Sequence, residues 1–364
     1  MIYLERFKKF LRLMKESEIA GALIAPSTNL YYLTGINPLG VLERLFILIV
    51  LVNDDPILIA PKLYENELKE SWVKNVILWK DEEDPYIKFK KIMLEKFREG
   101  EKLLIDDTIP ASIILKAHNV LDKYNLNPLN PVISRLRAIK DDEEIENLKK
   151  ASEIVDKVFY EILNREMKGK SEREIAMSIE YAIKEFGADI SFEPIVASGP
   201  NSANPHHKSS DRKIREGDII ILDYGAKYNE YCSDITRTIV IGNPSEEIKK
   251  VYKIVNEAQE KAFQAVKEGI MAKEIDFMAR ETIRNYGYGE YFIHRTGHGL
   301  GLDVHEEPYI TPNSEIILKE KMIFTIEPGI YLPNKFGIRI EDDIIIINNK
   351  GNKLTQASRE LFIV

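Results

Sequence analysis

Alternating apolar and polar positions predict two β-hairpins in the C-terminal part of the chain. The first spans 218–241, where an apolar run leads into a polar turn at 227–230 and a second β-rich run follows. The second spans 322–347, with its turn at Pro333-Asn334-Lys335. Both hairpins contain acidic residues among strand-forming residues, which is unusual for strands with so many apolar positions.

The midpoints of the two turns predict which acidic residues face each other. In the first hairpin they place Asp223 directly opposite Asp234, and in the second they place Glu327 directly opposite Glu341. Like charges that are directly opposed across two strands are destabilising. The sequence therefore predicts that cations lie between these carboxylates.

The N-terminal part alternates helical and strand patterns, beginning with an amphipathic helix that ends near Ser17. This alternation is typical of an α/β domain, which we place at 1–125. Two Asn-Pro steps then interrupt regular structure and predict a linker at 126–132. The remaining residues, 133–364, form the second predicted domain.

The second domain contains an internal repeat. The helical pattern that opens at Glu143 recurs at Glu246, and the pattern that opens at Glu174 recurs at Glu274. Each helix pair is followed by an irregular segment with histidine and then by one acidic hairpin. The repeat predicts an α+β domain with pseudo-twofold symmetry, in which the two hairpins converge on one site.

Composition excludes several classes of protein. The chain has 364 residues, 44% of them hydrophobic, and a formal net charge of −8 without a basic stripe, which argues against a nucleic-acid partner. Its longest apolar run, at 45–52, is too short to cross a bilayer. Charged residues throughout the first helix leave no secretion signal, so we expect a cytoplasmic protein. The richness in Lys and Glu is typical of thermophiles.

One cysteine, Cys232, excludes an intramolecular disulfide and a cysteine-based zinc site. Three glycines in the segment GHGLGLDVH, at 297–305, exclude a helical zinc motif around His298. Two Asp, two Glu and His298 suit a pair of divalent ions, Mn²⁺, Co²⁺ or Fe²⁺ first and Zn²⁺ as a further candidate. Two such ions about 3.5 to 4 Å apart activate a bridging water and polarise a carbonyl, so the pattern indicates a hydrolase.

Five segments carry a specific resemblance to a known family. They are ASGPNSANPHH (197–207), GDIIILDYGAKYNEYCSDITRT (217–238), HRTGHGLGLDVHEEP (294–308), IEPGIY (326–331) and GIRIEDD (337–343). With them the sequence resembles the creatinase/aminopeptidase metallopeptidases, which have the pita-bread fold, and within that family the archaeal Xaa-Pro dipeptidases (prolidases). The resemblance implies a pita-bread domain preceded by a smaller α/β domain of the creatinase/prolidase N-terminal type.

The resemblance also implies metal ligands. Asp223 would chelate one ion, Asp234 and Glu341 would bridge both ions, and His298 with Glu327 would complete the second ion. Glu327 would in addition transfer a proton during the reaction.

Further residues are implied to contact a peptide substrate. His206 and His305 would contact the scissile bond and the leaving nitrogen, with His207 as the alternative to His206. His294 and Arg339 would line the pocket for the residue after that bond, although a salt bridge from Arg339 to Glu341, two positions along the same strand, is the simpler interpretation.

The expected function is hydrolysis of Xaa-Pro bonds, preferably in dipeptides, by a homodimer with two metal ions in each chain. Aminopeptidase P activity on longer peptides is the first alternative. A creatinase-type C–N hydrolase and a non-catalytic pita-bread module that binds peptides or proteins are further alternatives.

Overall fold

The computed structural model describes residues 2–38 and 43–364. The chain forms two compact units, Met1–Leu136 and Arg137–Val364. No helix within the described residues combines the length and the apolar character needed to cross a membrane.

The N-terminal unit contains a six-stranded mixed sheet with helices between its strands. The sheet has the strand order β4-β3-β2-β1-β5-β6, in which β1 is antiparallel to β2 and parallel to β5. The α/β architecture predicted for this unit is confirmed. Its strands are β1 (Gly21–Ile24), β2 (Ile47–Leu51), β3 (Ile57–Pro61), β4 (Asn75–Trp79), β5 (Lys102–Ile105) and β6 (Asn125–Pro128). Its helices are α1 (Ile2–Glu16), α2 (Thr28–Thr34), α3 (Glu65–Leu68), α4 (Pro85–Lys96), α5 (Ala111–Leu121) and α6 (Asn130–Arg137).

Residues 126–132, expected to form a linker, contribute to β6 and α6 instead. The Asn-Pro steps do not interrupt these elements because each proline stands where a missing N–H is tolerated. Pro128 ends β6, which is an edge strand, and Pro131 lies in the first turn of α6. The compact units separate between residues 136 and 137.

The C-terminal unit contains two helix pairs and two sets of antiparallel strands. Its helices are α7 (Asp142–Leu163), α8 (Glu172–Glu185), α9 (Glu246–Ala265) and α10 (Ala272–Asn285). The strands of its first half are β7 (Asp189–Ile190), β8 (Ile195–Ser198), β9 (Ile219–Tyr224), β10 (Ala226–Tyr228), β11 (Tyr231–Cys232) and β12 (Ile235–Val240). Those of its second half are β13 (Gly297–Gly299), β14 (Glu306–Ile310), β15 (Ile323–Ile326), β16 (Gly329–Leu332), β17 (Phe336–Arg339), β18 (Asp342–Ile347) and β19 (Lys350–Lys353).

Each half of this unit has its own apolar core. In the first half, Ile154 and Val158 of α7 and Ile179 of α8 pack in one cluster with Ile220 of β9 and Ile239 of β12. The second half packs α9 and α10 against β15 to β18 in the same manner. A backbone bridge between Thr236 and Glu341 joins the strands of the two halves. The predicted repeat therefore produces a pita-bread domain whose halves meet at their acidic hairpins.

The register of the first hairpin differs from the prediction. Asp223 lies opposite Thr236, and Asp234 lies beyond the last pair of β9 and β12, Tyr224 with Ile235. The cause is a two-residue turn at Asn229 and Glu230, both with positive φ, instead of the expected four-residue turn. The centre of the observed turn lies one residue later than that of the expected turn, so the strand partner of each residue moves by two positions. Asp223 and Asp234 therefore become diagonal neighbours on the same face of the hairpin.

The register of the second hairpin agrees with the prediction. Ile326 pairs with Asp342, and Gly329 pairs with Arg339. Both pairs share one register, and this register places Glu327 opposite Glu341. Two like charges therefore do face each other at the point where the second hairpin leaves one sheet and enters the next.

We expect Glu230→Gly to stabilise the C-terminal unit. Glu230 has a φ of 70°, a left-handed conformation that costs a non-glycine residue about 1 kcal/mol and that glycine adopts freely. The midpoint of thermal unfolding should rise by about 2 to 4 °C. Glu230→Ala is the matched control, since it removes the same carboxylate and keeps the strain. An equal rise in both variants would contradict this account of the turn.

Candidate metal centre

A cavity of about 610 Å³ lies within the C-terminal unit, at the junction of the two hairpins. All the predicted site residues except His207 line it: Asp223, Asp234, His298, Glu327, Glu341, His206, His305, His294 and Arg339. The residues come from both halves of the repeat, so neither half contains the complete site.

Three side chains form the centre of this group. Potential ligand atoms of Asp234, His298 and Glu341 all lie within 4.8 Å of one another. Nε2 of His298 is 3.8 Å from Oδ2 of Asp234 and 3.3 Å from Oε1 of Glu327. Gly297 and Gly299 bring this histidine close to its neighbours, because a Cβ atom at either position would lie within 2.5 Å of a backbone oxygen of another strand.

The buried carboxylates fit a divalent cation. Oδ1 of Asp234 and Oε1 of Glu341 are buried, and neither has a hydrogen-bond partner among the described residues. Burial raises the pKa of Asp234 well above its usual range, and the nearby charges of Glu341 and Asp223 raise it further. Burial and the charges of Glu327 and Asp223 do the same for Glu341. A cation among these oxygens would remove both the repulsion and the unpaired acceptors.

Asp223 forms its ion pair with Arg339, which is buried beside it. The salt bridge that the sequence suggested for Arg339, with Glu341, is not the one observed. Arg339 extends across β9 and β12, where its Nε donates to the hydroxyl of Thr236 at 3.1 Å and Nη1 donates to the hydroxyl of Tyr331 at 2.7 Å. The guanidinium of Arg339 therefore orients the carboxylate of Asp223.

Glu327 has a largely buried carboxyl group with a raised pKa. Burial raises its pKa to about 7, while Arg339 opposes the rise and Asp223 adds to it. Its Oε1 accepts a hydrogen bond from the hydroxyl of Thr325 at 3.4 Å. Such a group can both accept and release a proton near neutral pH.

The histidines occupy different environments. His206 and His305 are exposed at the cavity, and the ring of His305 lies edge-on to that of His298 at 4.2 Å. His294 is enclosed, with Nδ1 2.7 Å from the carbonyl oxygen of Arg295 and Nε2 2.8 Å from the hydroxyl of Tyr331. Burial and the charge of Arg339 lower the pKa of His294 to about 3. His294 is therefore a neutral ring that donates from Nδ1 and accepts at Nε2.

His207 lies outside the cavity lining, contrary to its expected part in substrate binding. Its Nε2 is 2.7 Å from Oε2 of Glu172, a buried residue of α8. The two adjacent histidines therefore have different partners, and His206 alone of the pair lines the cavity. A sequence of two consecutive histidines does not show which ring points to which side.

Several residues in the cavity lining or bonded to it were missed by the sequence analysis. Tyr331 links His294 to Arg339, Arg295 lines the wall, and Phe192, Ile195 and Val304 contribute apolar surface. The positions of Arg295, Val304 and Tyr331 inside the motif segments 294–308 and 326–331 were a usable signal. Phe192 and Ile195 precede every motif, and no pattern in the sequence distinguishes them from core residues.

The fold and the site define a pita-bread metallohydrolase. Residues 146–348 match the model of metallopeptidase family M24, and residues 6–139 match that of the creatinase/prolidase N-terminal domain. The chain belongs to metallopeptidase family M24, a family of metal-dependent hydrolases.

Similar proteins support this assignment over the full length. An Xaa-Pro dipeptidase of Pyrococcus furiosus is 43% identical, and the match covers 98% of this chain and 99% of the relative. The crystal structure of a prolidase from Thermococcus sibiricus is 61% identical, with a TM-score of 0.98 and complete coverage of both chains. An X-Pro aminopeptidase from Thermotoga maritima is 35% identical, with a TM-score of 0.83 and coverage of 97% of this chain and 100% of the other.

We expect Asp234→Asn to have opposite effects on the metal-free and the metal-loaded protein. The change removes one buried charge from a group of carboxylates, so the metal-free chain should unfold at a higher temperature. The stabilisation by Mn²⁺, about 2.7 kcal/mol at a hundredfold excess over the dissociation constant, should be lost. Differential scanning calorimetry with and without Mn²⁺ measures both effects.

Asp106→Asn is the matched control for this experiment. Asp106 is also buried but lies in the N-terminal unit, where it accepts hydrogen bonds from Ser27 and Thr108. Its replacement should lower the unfolding temperature and leave the shift caused by Mn²⁺ intact. If Mn²⁺ stabilised the Asp234→Asn chain as strongly as the unmodified chain, Asp234 would not be a metal ligand.

Proposed function

We propose that this chain hydrolyses the Xaa-Pro bond of dipeptides with the aid of two divalent metal ions. The observation that carries the proposal is the gathering of four carboxylates and four histidines, from both halves of the repeat, around one cavity. The 61% identity to a prolidase over the whole chain supports the same substrate class.

The donor set suggests how the ions would be held. The two ions would be held by Asp223, Asp234, His298, Glu327 and Glu341. Carboxylates with one imidazole suit Mn²⁺ or Co²⁺ best, with Fe²⁺ and Zn²⁺ as further candidates. When bound, such a pair lowers the pKa of a water molecule and polarises the carbonyl of the substrate.

The side chains around the ions would handle protons and charge. Glu327 lines the same cavity and is suited to accept the proton of the attacking water. His206 and His305 face the same cavity and can donate hydrogen bonds to the oxyanion that forms at the carbonyl. A prolyl nitrogen carries no hydrogen, so it must be protonated as it leaves, and we assign this protonation to His206.

The remaining lining suits a C-terminal proline. Phe192, Ile195 and Val304 offer an apolar wall to the pyrrolidine ring. Hydrogen bonds to Thr236, Tyr331, Pro205 and Asp223 occupy four of the five N–H donors of Arg339. In this proposal the second hydrogen of Nη2 would be donated to a substrate carboxylate. In this proposal His294 orients Tyr331 beside that arginine.

Cleavage of longer peptides, as by aminopeptidase P, is the second candidate. The 35% identity to an X-Pro aminopeptidase with a TM-score of 0.83 favours it, although the prolidase similarity is higher. Creatinase-type hydrolysis and a purely binding role are weaker candidates, since a binding module has no use for the complete set of carboxylates. We further propose that the protein is a cytoplasmic homodimer.

Metal-loaded protein should cleave Met-Pro much faster than Met-Pro-Ala and should leave creatine intact. The reason is that the pocket for the prolyl residue would bind a free carboxylate, which the tripeptide lacks at that position. Liquid chromatography of the products gives kcat/KM for each substrate. Equal values for the dipeptide and the tripeptide would support aminopeptidase P, and an uncut Met-Pro would exclude both activities.

Removal of metal with a chelator should abolish hydrolysis, and Mn²⁺ or Co²⁺ should restore it. A titration that follows both activity and bound metal should reach its plateau near two ions per chain. Full activity at one equivalent would contradict the proposed pair. Mg²⁺ serves as a control, because it favours water and oxygen ligands over an imidazole.

A further inference from the structure

The segment that follows β8 carries His206 to the cavity, and one buried carboxylate holds this segment at two distant points. Glu172 is the first residue of α8 and has an exposed fraction of 0%. Its Oε1 accepts hydrogen bonds from the backbone N–H and the hydroxyl of Ser198, each at 2.7 Å. Its Oε2 accepts from the backbone N–H of Ser210 at 3.1 Å and from the hydroxyl of Ser210 at 2.6 Å. Glu172 thus closes the loop 198–210.

His207 attaches the middle of this loop to the same carboxylate. Its Nε2 lies 2.7 Å from Oε2 of Glu172, and its side chain is 15% exposed. Burial alone would raise the pKa of Glu172, but hydrogen bonds from Ser210, Ser198 and His207 lower it to about 2. Glu172 is therefore ionised at neutral pH, and Nε2 of His207 must carry the proton that the carboxylate accepts. Hydrogen bonds to a charged group are stronger than those between neutral groups.

His206 itself has little to hold its ring. Within residues 2–38 and 43–364 its imidazole has no hydrogen-bond partner, and its backbone N–H donates to Oδ1 of Asn204 at 3.3 Å. The residue is exposed at the cavity. Its position must therefore be set by the backbone on either side, and the nearest side chain with a strong attachment is that of His207.

The second half of the repeat contains a similar arrangement. Asp276 of α10 is buried and accepts a hydrogen bond from the hydroxyl of Thr296 at 2.7 Å. It lies one helical turn after the position of α10 that corresponds to Glu172 in the repeat. It also pairs with Arg280, whose Nη2 donates to the backbone carbonyl of His294 at 3.0 Å. In both halves, a buried carboxylate of the second helix therefore holds a segment that carries a histidine into the cavity.

We propose that the hydrogen-bonded pair of Glu172 and His207 is a positioning device that fixes the loop 198–210 and thereby places the ring of His206 over the reacting bond. His207 acts through its neighbour and contacts neither substrate nor metal. The proposal rests on the proposed function, because the reacting bond is that of the Xaa-Pro substrate.

Replacement of His207 by phenylalanine tests the device. Phenylalanine keeps a ring of similar size but cannot donate to Glu172, so the loop should loosen while the other hydrogen bonds of Glu172 keep the fold intact. In the metal-loaded protein, kcat for Met-Pro should fall about tenfold, since small displacements of a catalytic group have effects of this size or larger. KM should change less than twofold, and His207→Gln, which retains a donor, should recover most of the loss.

Lys208→Gln is the control for changes in this segment. Lys208 is the next residue along the chain, its side chain is 83% exposed, and its carboxylate partner Glu193 is 4.0 Å away. Activity and metal content should be unchanged in this variant. An unchanged kcat in the His207→Phe variant as well would overturn the proposal.

A second test separates positioning from general stability. When His206 is replaced by alanine, there is no ring left to position, so adding His207→Phe should cost no further activity in single-turnover measurements. If His207 stabilised the unit only in a general way, the second change would lower kcat by the same factor in both backgrounds. That result would also overturn the proposal.

Hydrogen–deuterium exchange provides a reading that does not depend on activity. In the His207→Phe variant, amides of the loop 198–210 should exchange at least tenfold faster, whereas those of 292–296 in the other half should not change. If the unmodified protein left Xaa-Pro peptides uncut, the proposed function would fail, yet this measurement would still decide whether His207 holds the loop. Unchanged exchange in the loop would refute the device.

Discussion

The repulsion among buried carboxylates at the junction of the two hairpins is the constraint on which the rest of the C-terminal unit depends. Asp234 and Glu341 each present a buried oxygen that has no hydrogen-bond partner in the described part of the chain, and burial together with neighbouring charges raises the pKa of both groups. Such a cluster is unfavourable in a folded chain unless cations enter it. The surrounding structure must therefore hold the carboxylates together against their own repulsion until the cations bind.

The buried side chain of Arg237 helps to hold these carboxylates together. Its guanidinium pairs with Asp342 and donates to the backbone carbonyl oxygens of Thr236 and Glu341, the two residues that bridge the halves of the repeat. It also donates to the carbonyl oxygens of Ala357 and Ser358 near the end of the chain. The backbone at Thr236 and Glu341 is thus fixed by the guanidinium of Arg237, which does not line the cavity. Arg339 plays the corresponding part on the cavity side, where it pairs with Asp223.

Much of this site could be predicted from the sequence, because the repeat and the periodicity of the strands bring the carboxylates to one face. The second hairpin was predicted in its correct register, since its turn is centred on Asn334. The first was not, because the sequence did not show that Asn229 and Glu230 would both adopt positive φ. A shift by two residues keeps each side chain on the same face of the strand. The prediction that Asp223 and Asp234 share a face was therefore correct, although the prediction that they lie directly opposite each other was wrong. Which ring of His206 and His207 turns inward depends on Glu172, which lies 35 residues away along the chain.

The carboxylates of the cavity and the histidines that line it meet two different physical demands. The buried carboxylates of the cavity repel one another, so strands and buried arginines must fix them rigidly. His206 and His294 line the cavity from irregular segments, and each of these two segments is tied to a buried carboxylate of a helix. The charge of Glu172 is satisfied by donors from its loop, whereas Asp276 pairs with Arg280 of its own helix and accepts one hydrogen bond from the segment of His294. The repeat thus supplies two acidic hairpins and, beside each hairpin, one anchored segment that carries a histidine into the cavity.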